Sequence, residues 1–298
     1  MGLCCSSSTK KIYDPFGLVD EDYENDAITF ETEDGLYPAD EEYYKEMTAF
    51  EEKFLLKEIP FEKYVTCLFQ IVKKDLPKDQ EKRVPSLSKY EETYNSLIEN
   101  KTLKDFATEL LKDFPNQNNL NYNLTHRTII NMGETISAYI KQKGVDRLVL
   151  LHMISIGILY CKGGNLRKLK FFYELFKVEK DVKPCLRCDS YSIDMFIFSI
   201  LIVATIGNFN AQKESNTLKK TMEEDLHEKF CQIHVINGFE KQIFASLLGI
   251  NDIDKAPNEY KITWQELYER YVKMEIKFWP FSAPCIRKYI RQRVEGFS

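Results

Sequence analysis

Nowhere in this chain do some 20 apolar residues run together, the length a helix needs to cross a bilayer. The two longest apolar stretches, Leu148 to Cys161 and Met195 to Phe209, hold 14 and 15 residues; His152 interrupts the first and Asp194 bounds the second. Both read as buried core helices. A secretory signal is also missing, since small polar residues fill the N-terminus and the first apolar run comes far downstream. The chain is therefore expected on the cytosolic side, where eight scattered cysteines are thiols rather than a disulfide framework. Phosphate-cradling GxGxxG and GxxxxGK[ST] patterns are absent, and Gly163-Gly164 reads as a helix stop. None of the four histidines, His126, His152, His227 and His234, stands in a nucleophile or metalloprotease motif. No catalysis is expected. A net charge of −5 without an aromatic-basic module argues against nucleic acid.

What is present begins at the N-terminus, Met1-Gly2-Leu3-Cys4-Cys5-Ser6. Removal of Met1 exposes Gly2, and Ser6 four positions on completes an N-myristoylation pattern; Cys4 and Cys5 stand where a membrane-held thiol is S-palmitoylated. A single myristoyl chain binds only at about 10⁴ M⁻¹, while each further chain adds about 0.8 kcal/mol per buried CH₂, so two cysteines would make attachment stable. Residues 1 to 60 carry 16 acidic and 5 basic side chains, a net of −11, which leaves +6 for the rest. Such a segment is repelled by anionic headgroups, and attachment falls to the acyl chains. The expected location is peripheral, at the cytoplasmic face of a membrane.

Three regions follow: an acylated acidic tail (1–40), a helical domain (41–278) and a basic C-terminal segment (279–298). Residues 9 to 40 mix acids with single aromatics and lack periodicity, as a flexible spacer or a linear docking strand does. Apolar spacing of three to four predicts helices at Tyr43 to Lys57, Phe61 to Lys73, Tyr90 to Asn100, Leu103 to Asp113, Thr125 to Lys141 and Asp146 to Cys161. Further helices are predicted at Asn165 to Lys177, Ile193 to Asn208, Leu218 to Asn237, Phe239 to Gly249 and Thr263 to Phe278. Alternating strand patterns hardly occur. The expected fold class is all-α, with helices paired across short loops. In the last region, Trp279 and Phe281 ahead of Arg287, Lys288 and Arg291 suit a lipid interface, packing back on the domain or partner binding.

Two stretches give the helix pairs a known look. Leu169, Phe172, Tyr173 and Phe176 lie eight, five, four and one places before a loop; Tyr191-Ser192-Ile193-Asp194 then resembles a loop end with one bridging apolar residue, followed by Phe198, Leu201 and Ile202 as the partner helix face. Lys261-Ile262-Thr263-Trp264-Gln265-Glu266-Leu267 resembles the same closing run, with Ile262 bridging and Glu266 at its last ligand place. Weaker echoes occur at Val145-Asp146-Arg147 and Ile59-Pro60-Phe61-Glu62, and Leu110, Leu111 and Phe114 open an Asn-rich loop at 116–123. On these residues the chain resembles a degenerate member of the EF-hand superfamily, of calcineurin-B-like or neuronal-calcium-sensor-like type. The resemblance implies four or five degenerate hands over 41–275 and an apolar groove for an amphipathic partner helix or a membrane-associated effector.

A working calcium loop needs oxygens at places one, three, five and twelve and glycine at six. The loop after Phe176 offers Lys177, Glu179, Asp181, Val182 and Cys188 instead. In the last loop only a longer register, Asp252, Asp254, Asn258 and Glu266, gathers enough oxygens for calcium. Zinc-type ligands can be drawn from Cys185-Leu186-Arg187-Cys188 with Cys231-Gln232-Ile233-His234, although their separation exceeds that of small zinc modules and accidental thiols are the simpler reading. The expectation is a non-catalytic, membrane-anchored adaptor or regulatory protein without a required cofactor; a calcium-responsive sensor is the alternative, and a metal-binding or catalytic protein of unrecognised type a third.

Overall fold

Phe61, Tyr64, Val65, Leu68 and Phe69 recur at helical spacing, and all five are buried in helix α1 (Phe61–Val72). The same logic runs through the computed structural model, which describes residues 47–72, 87, 91–114, 120–178, 183–187, 190–215, 236, 239–247, 261–272 and 281–295. After α1 come α2 (Asn100–Leu110), α3 (Leu120–Ile140), α4 (Leu150–Tyr160) and α5 (Asn165–Phe176). The long α6 (Tyr191–Glu214) follows, then α7 (Phe239–Leu247), α8 (Trp264–Val272) and α9 (Ala283–Glu295). Two three-residue strands, β1 (Cys185–Arg187) and β2 (Lys261–Thr263), form the one sheet among the described residues. With 77% of those residues helical, the fold is all-α.

The helices are laced together in pairs. Between α1 and α2 the chain is extended at Leu97, which makes an antiparallel bridge to Val149 just before α4; Ile98 N–H donates to Leu148 O (2.9 Å) and Leu150 N–H to Ser96 O (3.1 Å). Between α5 and α6 lies β1, which pairs antiparallel with β2 just before α8, Leu186 opposite Ile262. Packing runs across the pairs as well as within them: α1 lies on both α2 and α4 and α2 on α3, while α5 meets α8 and α6 lies on α7. Among the described residues the helices are thus joined in two sets, each tied by one antiparallel bridge. The halves meet where α6 packs on α3 and α4, and a parallel bridge between Pro60 and Lys162 ties the start of α1 to the 161–164 linker. Tyr64 lies across α4 at Gly157, where a Cβ would stand 2.4 Å from its ring, and its hydroxyl donates to Met153 O (2.8 Å).

Several expected boundaries move. The helix expected over Tyr43 to Lys57 is helical at 47–51 and then breaks: Phe54 is extended, and a 3-10 turn (Leu55–Glu58) buries both Leu55 and Leu56, which a continuous helix would point in different directions. The helix expected over Tyr90 to Asn100 is one turn, Glu91–Tyr94, because the next residues are drawn out to reach Val149. That bridge puts the second unit's apolar bridging residue at Val149, not Val145. Likewise Tyr191 to Asp194 is not a loop end but the first turn of α6, capped by Ser190, whose side chain accepts from Ile193 N–H; the bridging residue is Leu186. Phe172 and Phe176 meet α6 at Phe196 (6.1 and 5.2 Å between ring centroids), and Lys143 Nζ lies 4.8 Å over the buried Phe198 ring. The predicted helix at Leu218 to Asn237 lies outside the described residues, Ile236 aside.

By length and composition α6 could cross a membrane, with a mean hydropathy of 1.8 over 18 residues, but 89% of that stretch is buried inside the protein. Its apolarity matches its place at the centre of the fold. The basic C-terminal segment also turns inward: Phe281, Ile286 and Ile290 of the α9 region are buried, and Phe281 lies 5.5 Å from Phe172.

Candidate functional site

The β1–β2 bridge fixes the ends of α5 and α8 side by side, and a groove forms where they meet. Tyr173 stands in the last turn of α5, and its hydroxyl donates to Pro184 O (2.6 Å) in the approach to β1. Trp264 opens α8, and its ring lies 5.5 Å from that of Tyr173. Lys170, one turn before Tyr173, holds its Nζ 4.2 Å over the Trp264 ring. Tyr173 and Trp264, with Glu174, Lys177, Lys183, Pro184 and Thr263, line an open groove of about 360 Å³. Glu174 sits between Lys170 (2.9 Å) and Lys177 (2.7 Å). Burial works to raise its carboxyl, but hydrogen bonds and charge from the two lysines outweigh that and hold it below the usual range.

Glu266 has a local task. Its Oε2 accepts from Thr263 N–H and from the Thr263 hydroxyl (both 2.8 Å), and Thr263 Oγ1 accepts from Glu266 N–H (3.4 Å). This reciprocal arrangement caps α8, and Thr263's N–H and then its hydroxyl hold the carboxyl below its ordinary range. Asp252, Asp254 and Asn258, the other oxygens of the calcium reading, lie outside the described residues, as do Gly2, Cys4 and Cys5. Of the zinc-type set Cys185 alone is described; it is buried in β1 opposite Thr263, and its carbonyl accepts from Val178 N–H (2.8 Å). Cys188, Cys231 and His234 lie outside.

A second polar cluster, unforeseen in the sequence, is internal. Arg287 of α9 is fully buried and grips Glu51 with both terminal nitrogens, Nη1 to Oε1 at 2.7 Å and Nη2 to Oε2 at 3.0 Å. Tyr160 OH donates to Glu51 Oε1 (3.1 Å), Asn208 Nδ2 donates to the same oxygen, and Gln212 Nε2 donates to Asn208 Oδ1 (2.9 Å). Burial, and then the Glu51 carboxylate, push the Tyr160 phenol well up. Arg287 Nη1 also donates to Ala204 O (3.0 Å), a carbonyl in the π-helical stretch Val203–Gly207 of α6. The cluster joins α4, α6 and α9 to helical residues 47–51. No side chain in it faces the groove.

Comparison of the chain with family models, with curated proteins and with solved structures finds no match.

Proposed function

We propose that this protein is a non-catalytic adaptor of degenerate EF-hand-like build, held on a membrane by acyl chains at Gly2, Cys4 and Cys5. The observation that carries the adaptor reading is the pairing of helix-loop-helix units through Leu97–Val149 and Leu186–Ile262 with crosswise helix packing, the plan on which EF-hand pairs are built. The Thr263–Glu266 cap supports a structural rather than calcium-binding use of the last loop. Lys177 at the first ligand place of the third loop supports the same reading. The adaptor recruits a protein partner to the cytoplasmic face of the membrane, without nucleic acid and without a required metal.

The anchor is tested by Gly2→Ala. Palmitoylation of Cys4 and Cys5 depends on prior docking through myristate, so losing the first chain loses all. The mutant is expected in the soluble fraction after membrane sedimentation, with the wild type in the pellet. A mutant that still sediments with lipid overturns the anchor.

A further inference from the structure

α9 is the last helix of the described chain, and it covers a seat that other elements build. Its Ile286 and Ile290, one turn apart, are fully buried, and its chief neighbour among the described elements is the π-helical stretch Val203–Gly207 of α6. Arg287 is buried as deeply: its two terminal nitrogens hold the two oxygens of Glu51, and Nη1 also donates to Ala204 O (3.0 Å). The receiving side owes nothing to α9. Tyr160 of α4 and Asn208 of α6 both donate to Glu51 Oε1, and Gln212 donates to Asn208, so the carboxylate is held in place by elements other than the one that binds it. A fixed carboxylate with a carbonyl beside it is a fork-shaped seat that arginine fits and lysine does not. The floor of that seat is the π-helical turn, a break in helical regularity that recurs at functional sites. Two features make α9 separable. Residues 273–280 alone connect it to α8, so its departure pulls on no other element. Its deepest contact is a buried ion pair, which gains little net over an apolar pair of the same size.

We propose that the seat under α9 is a docking site for an amphipathic helix of a partner protein, one with branched apolar residues four apart and an arginine directly after the first, and that α9 fills it in cis until such a helix displaces it. The proposal rests on the adaptor reading for its purpose. Its test uses purified, unacylated full-length protein in solution, so its outcome is separate from that of the acyl anchor. The probe is a fluorescein-labelled peptide of residues 281–295, followed by anisotropy. A tethered helix at an effective concentration on the order of 10⁻³ M outcompetes a free one of micromolar affinity about a thousandfold, so the wild type is expected to bind the peptide only near 10⁻³ M. Arg287→Glu in the full chain sets two carboxylates against each other and should free the seat, bringing the dissociation constant to the order of 10⁻⁶ to 10⁻⁵ M. Peptide with lysine in place of this arginine should bind that variant about tenfold more weakly, and peptide with glutamate there should not bind it. Hydrogen exchange should show the amides of 283–295 losing protection in the variant while those of α1 to α6 keep theirs. Ile290→Ala, which trims the apolar contact and leaves the charges alone, serves as a second variant, expected to bind the peptide at intermediate strength. Equal binding to the wild type and both variants, binding to neither variant, or loss of protection throughout the chain in both overturns the proposal, α9 then being a plain core helix. A wild type that sediments as a dimer overturns it in favour of a second copy's α9 as occupant.

Discussion

His152 illustrates how one buried side chain serves both a helix and a loop bridge. It lies three residues into α4, 3% exposed, and its Nδ1 accepts from the N–H of Val149, the residue that bridges to Leu97. That acceptor role requires Nδ1 to be unprotonated, with the ring proton on Nε2. Burial depresses the imidazole to about 4, from 6.5 for a free side chain. Below pH 6.5 the unfolded chain takes up a proton that the folded chain refuses. The stability tied to neutral His152 is therefore complete above that pH and is lost as pH falls toward 4, by about 3 kcal/mol in all. Urea midpoints measured between pH 7 and pH 4 should fall more steeply for the wild type than for His152→Gln, which keeps an acceptor but cannot titrate. Parallel curves for the two proteins would show that the ring carries no such linkage.

At the scale of elements, long apolar-periodic helices were legible in sequence and connections were not. The ranges expected for α1 and α5 end within a residue of the observed ones, since spacing such as Leu169, Phe172, Tyr173 and Phe176 is written into the chain. The missed breaks at Phe54 and after Tyr94 come from tertiary demands, burying Leu55 with Leu56 and reaching Val149, that no local pattern encodes. Least legible was Arg287, which in a run of cations looks like solvent-facing charge but is the internal partner of a glutamate 236 positions away. A buried ion pair gains little over an apolar pair, whereas removing one partner strands the other charge. Glu51→Gln should therefore cost about 3–5 kcal/mol in urea unfolding, and Glu51→Leu with Arg287→Met should recover most of that loss. If the single change costs no more than a surface substitution, the pair does not hold α9 in place.

For the whole molecule the decisive question is whether the loops respond to an ion, because paired helix-loop-helix units serve either as fixed scaffolds or as switches. Several features favour the scaffold. The third loop begins with Lys177, where an EF-hand-like loop would need a carboxylate for an ion. Glu266 already has its Oε2 in the cap of α8, and turning it to an ion would give up both hydrogen bonds from Thr263. A loop of sensor strength, with a dissociation constant near 10⁻⁵ M, would stabilise the fold by about 2.7 kcal/mol at a hundredfold excess of calcium. Neither heat of binding in titration calorimetry nor a rise in the thermal midpoint is expected when calcium is added to the apo protein up to that excess. Glu266→Gln separates the two roles further: as a cap residue it should lower stability equally with and without calcium, by roughly 1 kcal/mol or less. A calcium-dependent rise in the wild type that this substitution abolishes would make the fourth unit a sensor and the adaptor reading wrong.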